Sequence, residues 1–198
     1  NATVAGYHSG GQSSSLVSTV DKFAFPSDAR TTLGTGLSGS RRGHDGFQNT
    51  SIAGYFAGGT GPTSTVDKFE FPGDTRTTLG AGLSAGRDVP AAMSNAKNAG
   101  YVSGGYETVA VTTIDKFEFS SDTRTTLASS LSIARGIMRA VANINSAGYV
   151  AGGDKGDQNL TNVLSEAFFS AENMEIINRT LILEVYKRTQ IKIGPQNT

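Results

Sequence analysis

The chain has 198 residues, 17 Lys+Arg against 17 Asp+Glu, and no cysteine. Disulfide stapling and thiol chemistry are therefore excluded, and a balanced charge gives no general attraction to nucleic acid or anionic membrane. No apolar run approaches the roughly 20 residues of a membrane span. The sequence opens at Asn1 in mid-pattern, with no initiator Met or signal peptide. That reads as a processed product or the ordered part of a longer polypeptide.

The first element recurs four times, as Ala5-Gly6-Tyr7, Ala53-Gly54-Tyr55, Ala99-Gly100-Tyr101 and Ala147-Gly148-Tyr149. The tyrosines are 48, 46 and 48 residues apart, and a glycine pair follows each (Gly10-Gly11, Gly58-Gly59, Gly104-Gly105, Gly152-Gly153). Then come Val20-Asp21-Lys22-Phe23, Val66-Asp67-Lys68-Phe69 and Ile114-Asp115-Lys116-Phe117. Each is followed by an Asp-x-Arg-Thr-Thr-Leu turn beginning at Asp28, Asp74 or Asp122. Leu37-Ser38, Leu83-Ser84 and Leu131-Ser132 close the units, with Arg41, Arg87 or Arg135 three residues past the Ser. So many matches in register define a tandem repeat, with units near 5–52, 53–98, 99–146 and 147–169.

Each unit predicts four short strands. Small residues such as Ala91-Ala92-Met93 form the first and Gly-Tyr-x-x-Gly-Gly the second. In the third, Val66 to Phe71, Val66, Lys68 and Glu70 share one face and Asp67, Phe69 and Phe71 the other, which marks the packed side. Pro26 and Pro72 end this strand. Arg-Thr-Thr-Leu begins the fourth. Four strands in 46–48 residues is the size of a propeller blade.

The glycine pair after an apolar stretch, the Asp-x-x-x-Thr turn and the Arg beyond it resemble the kelch family over roughly residues 1–165. The resemblance implies an all-β propeller of four-stranded blades, with few units here for a closed ring. The chain departs from the family in having no Trp; Leu33, Leu79 and Leu127 are the nearest bulky substitutes. The phrasing Gly-Tyr-Phe-Ala-Gly-Gly … Ser-Thr-Val-Asp-Lys-Phe-Glu-Phe … Asp-Thr-Arg-Thr-Thr is also similar to repeats of virion and tail-fibre proteins of aquatic viruses, which implies a particle component.

The period changes near the end. Ser165-Glu166-Ala167 stands where Asp-Lys-Phe is expected. Ser170 reads as an N-cap, and Met174, Ile177, Leu181 and Val185 recur at spacings of 3, 4 and 4, one face of a short helix. Residues 166–198 are thus expected to form a helical tail or cap, with Ile191-Lys192-Ile193 as a short strand. Phe168-Phe169-Ser170-Ala171-Glu172-Asn173 and the ending Ile193-Gly194-Pro195-Gln196 resemble a segment of minor capsid proteins of large double-stranded DNA viruses. A cap shielding the last repeat's edge explains the same residues without that resemblance.

The catalytic inventory is thin. His8 and His44 have no cysteine or HExxH neighbour, no serine lies in a GxSxG setting, and no glycine pair precedes GK[ST]. No metal site, cofactor or nucleic-acid partner is expected. The repeated Asp21, Asp67 and Asp115 could line a channel and bind cations or sugars, or simply accept turn N–H bonds. Arg30, Arg76 and Arg124 are expected to pair with neighbouring carboxylates or lie along a blade edge. Asp154 to Asn159 offers oxygen ligands without EF-hand spacing. Asn-x-Ser/Thr sequons occur at Asn1, Asn49, Asn159 and Asn178.

The loop from the glycine pair to the third strand varies in length while the frame does not, which concentrates binding there. Gln12, Tyr106 and Glu107 are the candidate contacts. The expected role is a non-enzymatic structural component of a virus particle, a minor capsid or surface-exposed virion protein with other virion proteins as partners. The alternative is a carbohydrate-binding adhesin or tail-fibre module that takes a host surface glycan.

Overall fold

The computed structural model describes residues 4–95, 98–143 and 145–156 in full, and the backbone of 164–169 and 174–177. Among the described residues the elements are fifteen strands in four antiparallel sheets. The first sheet is β1 (Ala5–Ser9), β2 (Val20–Ala24) and β3 (Ala29–Thr32); the second is β4 (Asp45–Asn49), β5 (Ala53–Ala57), β6 (Val66–Glu70) and β7 (Thr75–Thr78). The third is β8 (Ala91–Asn95), β9 (Ala99–Ser103), β10 (Ile114–Glu118) and β11 (Thr123–Thr126). The fourth is β12 (Arg139–Asn143), β13 (Ala147–Ala151), β14 (Leu164–Phe169) and β15 (Met174–Ile177). Every sheet is a meander in chain order, so each repeat folds by local pairing.

The register is the same in each unit. The tyrosine of the second strand lies opposite the lysine of the third: Tyr7 opposite Lys22, Tyr55 opposite Lys68, Tyr101 opposite Lys116. In the fourth sheet Tyr149 lies opposite Glu166.

The expected C-terminal helix is corrected at its start. Met174 and Ile177 lie in β15, paired with β14 through Phe169↔Met174 and Glu166↔Ile177. Helical spacing is present in the sequence, but Met174-Glu175-Ile176-Ile177 also carries β-branched residues, and a waiting strand edge satisfies its backbone. Leu181 and Val185, the rest of that face, lie outside the described residues, as does Ile191-Lys192-Ile193. The fourth sheet therefore has four strands, as the second and third do.

The single packed face expected for the third strand is also corrected. Val66 is buried as well as Asp67 and Phe69, although it points to the opposite face. The sheets pack face to face, so an inner sheet has neighbours on both sides. Phe69 packs with Val20 and Leu37 of the first unit. Val66 packs with Tyr55, Val102, Phe117 and Phe119, toward the third sheet. Ile114, Tyr101 and Leu131 repeat the pattern against Met138 and Val150. Leu33, Leu79 and Leu127 each pack half-buried on one of these clusters.

The first glycine of each pair is required by its position. Gly10, Gly58 and Gly104 have φ of 58°, 74° and 56°. A Cβ would stand 2.4 Å from the Arg41 carbonyl oxygen at Gly10, and 2.6 Å from those of Arg87 and Arg135 at Gly58 and Gly104. That carbonyl accepts the N–H of the second glycine, at 2.9, 2.8 and 2.9 Å for Gly11, Gly59 and Gly105. The glycine pair thus holds the loop carrying the arginine.

Candidate functional site

Two sets of polar side chains are conspicuous: a bonding pattern repeated between sheets, and a pocket at the starts of the first strands. The arginine after Leu-Ser reaches the aspartate of the next unit's third strand. Arg41 Nη2 donates to Asp67 Oδ2 at 2.8 Å, with both side chains buried. Arg87 Nη2 and Asp115 Oδ2 form the same pair with neither side chain exposed. Ser38 and Ser84 each donate an N–H and a hydroxyl to that carboxylate, all at 2.9 Å. Thr78 and Thr126 donate to its other oxygen at 2.7 and 2.8 Å. Burial alone would raise the Asp67 pKa, but the Ser38 and Thr78 bonds and the Arg41 charge hold it below the usual carboxylate range.

A second contact joins the outer edges. Tyr7 Oη and Lys22 Nζ both donate to Asp74, each at 2.7 Å. Tyr55 Oη and Lys68 Nζ donate to Asp122 at 2.8 and 2.7 Å. Burial, with the neighbouring carboxylate, pushes both tyrosine pKa values up. Tyr7 stacks on Phe71 with centroids 5.2 Å apart, and Tyr55 on Phe119 at 5.5 Å. Asp67 and Asp115 therefore take their N–H bonds from the closing loop of the preceding unit. Arg30 and Arg124 pair within their own sheets, with Asp21 and Asp115, while Arg76 donates to the Gly36 carbonyl.

The pocket has a volume of about 680 Å³. Three residues at equivalent positions bound it, Gly43, Val89 and Ile137, with φ of 66°, 43° and 55°. Positive φ is costly for the β-branched pair and marks stored backbone strain. A backbone ladder fixes them: Val89 N–H donates to Gly43 at 2.8 Å and Ile137 N–H to Val89 at 3.0 Å. His8, His44, Asp45 and Arg139 supply the polar lining. His44 Nε2 lies 2.8 Å from Ser9 Oγ. Burial, helped by the Arg41 charge, lowers the His44 pKa to about 4, so the ring is neutral near pH 7. Its Nδ1 is buried without a protein partner, so no carboxylate orients it as one orients the base of a serine nucleophile. Asp45 accepts N–H bonds from Gly46 and Ala92, both at 2.8 Å, and burial raises its pKa. The arrangement offers hydrogen bonds of both kinds beside an exposed Ile137, which suits a small polar ligand. Sequence reading named His8 and His44 but missed this grouping, because only the fold aligns the starts of β4 and β12. Among the described residues no three of His, Cys, Asp and Glu are grouped to hold a metal ion.

The loop candidates are dispersed. Gln12 is exposed and its Oε1 accepts from Arg42 Nη1. Glu107 is exposed beside Val109. Tyr106 is half-buried; its hydroxyl donates to the Asp154 carbonyl at 2.6 Å, so it ties the third unit's loop to the fourth unit. Asp154 Oδ1 accepts the Gly156 N–H, while Asp157 to Asn159 lie outside the described residues. The Asn49 sequon is buried in β4, which leaves no room for a glycan; Asn1, Asn159 and Asn178 lie outside the described residues.

No protein-family model matches the chain, and no curated protein matches it. A solved structure described as the structure of YjhT has the same fold, with a TM-score of 0.68 at 12% identity, over 82% of this chain and 53% of that one. The chain thus spans about half the length of that protein. No helix among the described residues is long and apolar enough to cross a membrane.

Proposed function

We propose that the four sheets are blades of a kelch-like propeller, and that the chain is a non-enzymatic structural component of a virus particle, a minor capsid or surface-exposed virion protein. One observation carries the structural part of this reading. Charged residues of the first two units are engaged with the unit that follows, as Arg41–Asp67, Arg87–Asp115, Lys22–Asp74 and Lys68–Asp122. Residues retained for a reaction would be free to meet a substrate; these rigidify a scaffold. The particle and its neighbouring virion proteins rest on the resemblance of the repeat and of Phe168 to Gln196 to virion proteins. Antibody against the recombinant chain, applied to gradient-purified particles by immunogold microscopy, should decorate them and follow the capsid protein through the gradient. Antigen confined to infected-cell lysate and missing from particles contradicts the reading.

A second reading, a carbohydrate-binding module, is favoured by the pocket of His8, His44, Asp45 and Arg139. Carboxylate, guanidinium and imidazole groups beside an apolar wall suit adjacent sugar hydroxyls. Binding on a glycan array that is lost in Asp45→Ala would select it over the first.

A further inference from the structure

We propose that the outer face of the first sheet is a preformed docking surface for another repeat unit of the same kind, one carrying the Tyr–Lys pair and the Leu-Ser-x-x-Arg loop. The inference rests on the repeat geometry and is independent of the virion reading.

Each inner sheet receives its predecessor on three residues. The second uses Phe71, Asp74 and Asp67; the third uses Phe119, Asp122 and Asp115. The first sheet presents the same three as Phe25, Asp28 and Asp21. They are already set in the receiving conformation. Asp28 has a φ of 54°, against 55° at both Asp74 and Asp122. The Phe25 ring lies 3.4 Å from where a Gly6 Cβ would be, as Phe71 does at Gly54. Thr32 donates to Asp21 as Thr78 and Thr126 donate to Asp67 and Asp115.

What differs is cover. Phe25 is 46% exposed, whereas Phe119 is 8%. The Asp21 side chain is 34% exposed, whereas those of Asp67 and Asp115 are wholly buried. Asp28 is exposed. An aromatic ring flanked by two carboxylates matches a tyrosine, a lysine and an arginine, as the two interfaces within the chain demonstrate. The fourth unit lacks the lysine of that set: the residue in register with Tyr149 is Glu166.

The test fuses a copy of residues 45–98 directly ahead of Ala5 of the full chain, since Ala99 and Ala5 are equivalent. Asp28→Asn, which tolerates positive φ, is compared in the parent and the extended chain by thermal unfolding. It should leave the parent Tm unchanged and lower that of the extended chain as much as Asp74→Asn lowers the parent. Within the extended chain, Asp28→Lys should be restored by Lys68→Asp in the fused copy. A silent Asp28→Asn in the extended chain overturns the proposal. So does an added unit that melts separately or stays protease-sensitive while residues 4–156 remain folded.

Discussion

Arg87, in the connection between β7 and β8, and Asp115, in β10, are 28 residues apart and pair with neither side chain exposed. Arg87 also donates to the carbonyls of Gly104 and Thr113, at 3.3 and 2.9 Å. Burial lowers the Arg87 pKa and Asp115 opposes that shift. The pair is therefore a structural tie between units: removing one partner strands a charge in the interior.

The edge contacts make a milder prediction. Tyr55→Phe removes one hydrogen bond to Asp122 while leaving the ring stacked on Phe119. Urea unfolding should show a loss of about 1 kcal/mol. Tyr55→Ala, which also empties the cluster of Phe47 and Phe119, should cost about 3–5 kcal/mol. Equal effects would mean that the ring contributes little to the joint.

Glycines at unlike positions should separate steric need from conformational strain. Gly58→Ala places a Cβ 2.6 Å from the Arg87 carbonyl at positive φ, whereas Gly61, at φ 84°, has nothing within 4 Å. Gly61→Ala should cost about 1–2 kcal/mol from strain alone, and Gly58→Ala distinctly more. Gly80→Ala, with open space and no positive φ, should stay within about 0.5 kcal/mol. Chemical denaturation of the three variants checks the order.

The pH dependence of stability has a definite sign at His44. The folded pKa of about 4 lies below the ordinary 6.5, so between those values the unfolded chain binds more protons. Stability from this group is fully present above about pH 6.5 and is lost as pH falls toward 4, on the order of 3 kcal/mol. His44→Gln should flatten that limb in thermal unfolding between pH 7 and 4.5. An unchanged slope would show that the ring is not buried in its neutral form.

The C-terminal pairing also makes a prediction. Amides of β15 that bond to β14 should resist hydrogen exchange in alternation along Met174–Ile177, the signature of an edge strand. Continuous helical protection through this segment would contradict the pairing.

Much of the fold was legible because the repeat writes it several times. The Ala-Gly-Tyr stretches, the Val-Asp-Lys-Phe runs and the Arg-Thr-Thr segments fall on β1 to β3 and their counterparts. Two things were not legible. The 3, 4, 4 spacing of Met174, Ile177, Leu181 and Val185 satisfies a helix, and nothing local shows that β14 offers an edge at Met174. The Arg41–Asp67 partnership was hidden because it joins unlike positions of successive units, 26 residues apart. Both residues were visible as repeat landmarks. Their meeting depends on face-to-face packing, which an alternating pattern read as one packed side does not reveal. The pocket was hidden for the same reason, since Asp45 and Arg139 open first strands of different sheets.

The central claim is that adjacent sheets are bound through buried arginine–aspartate pairs. A double-mutant cycle of Arg87→Met and Asp115→Leu, measured by urea unfolding, tests it most directly. Each single variant should lose about 3–5 kcal/mol, and the double variant much less than their sum, because no charge is left stranded. Losses that add, with a coupling near zero, would contradict the account.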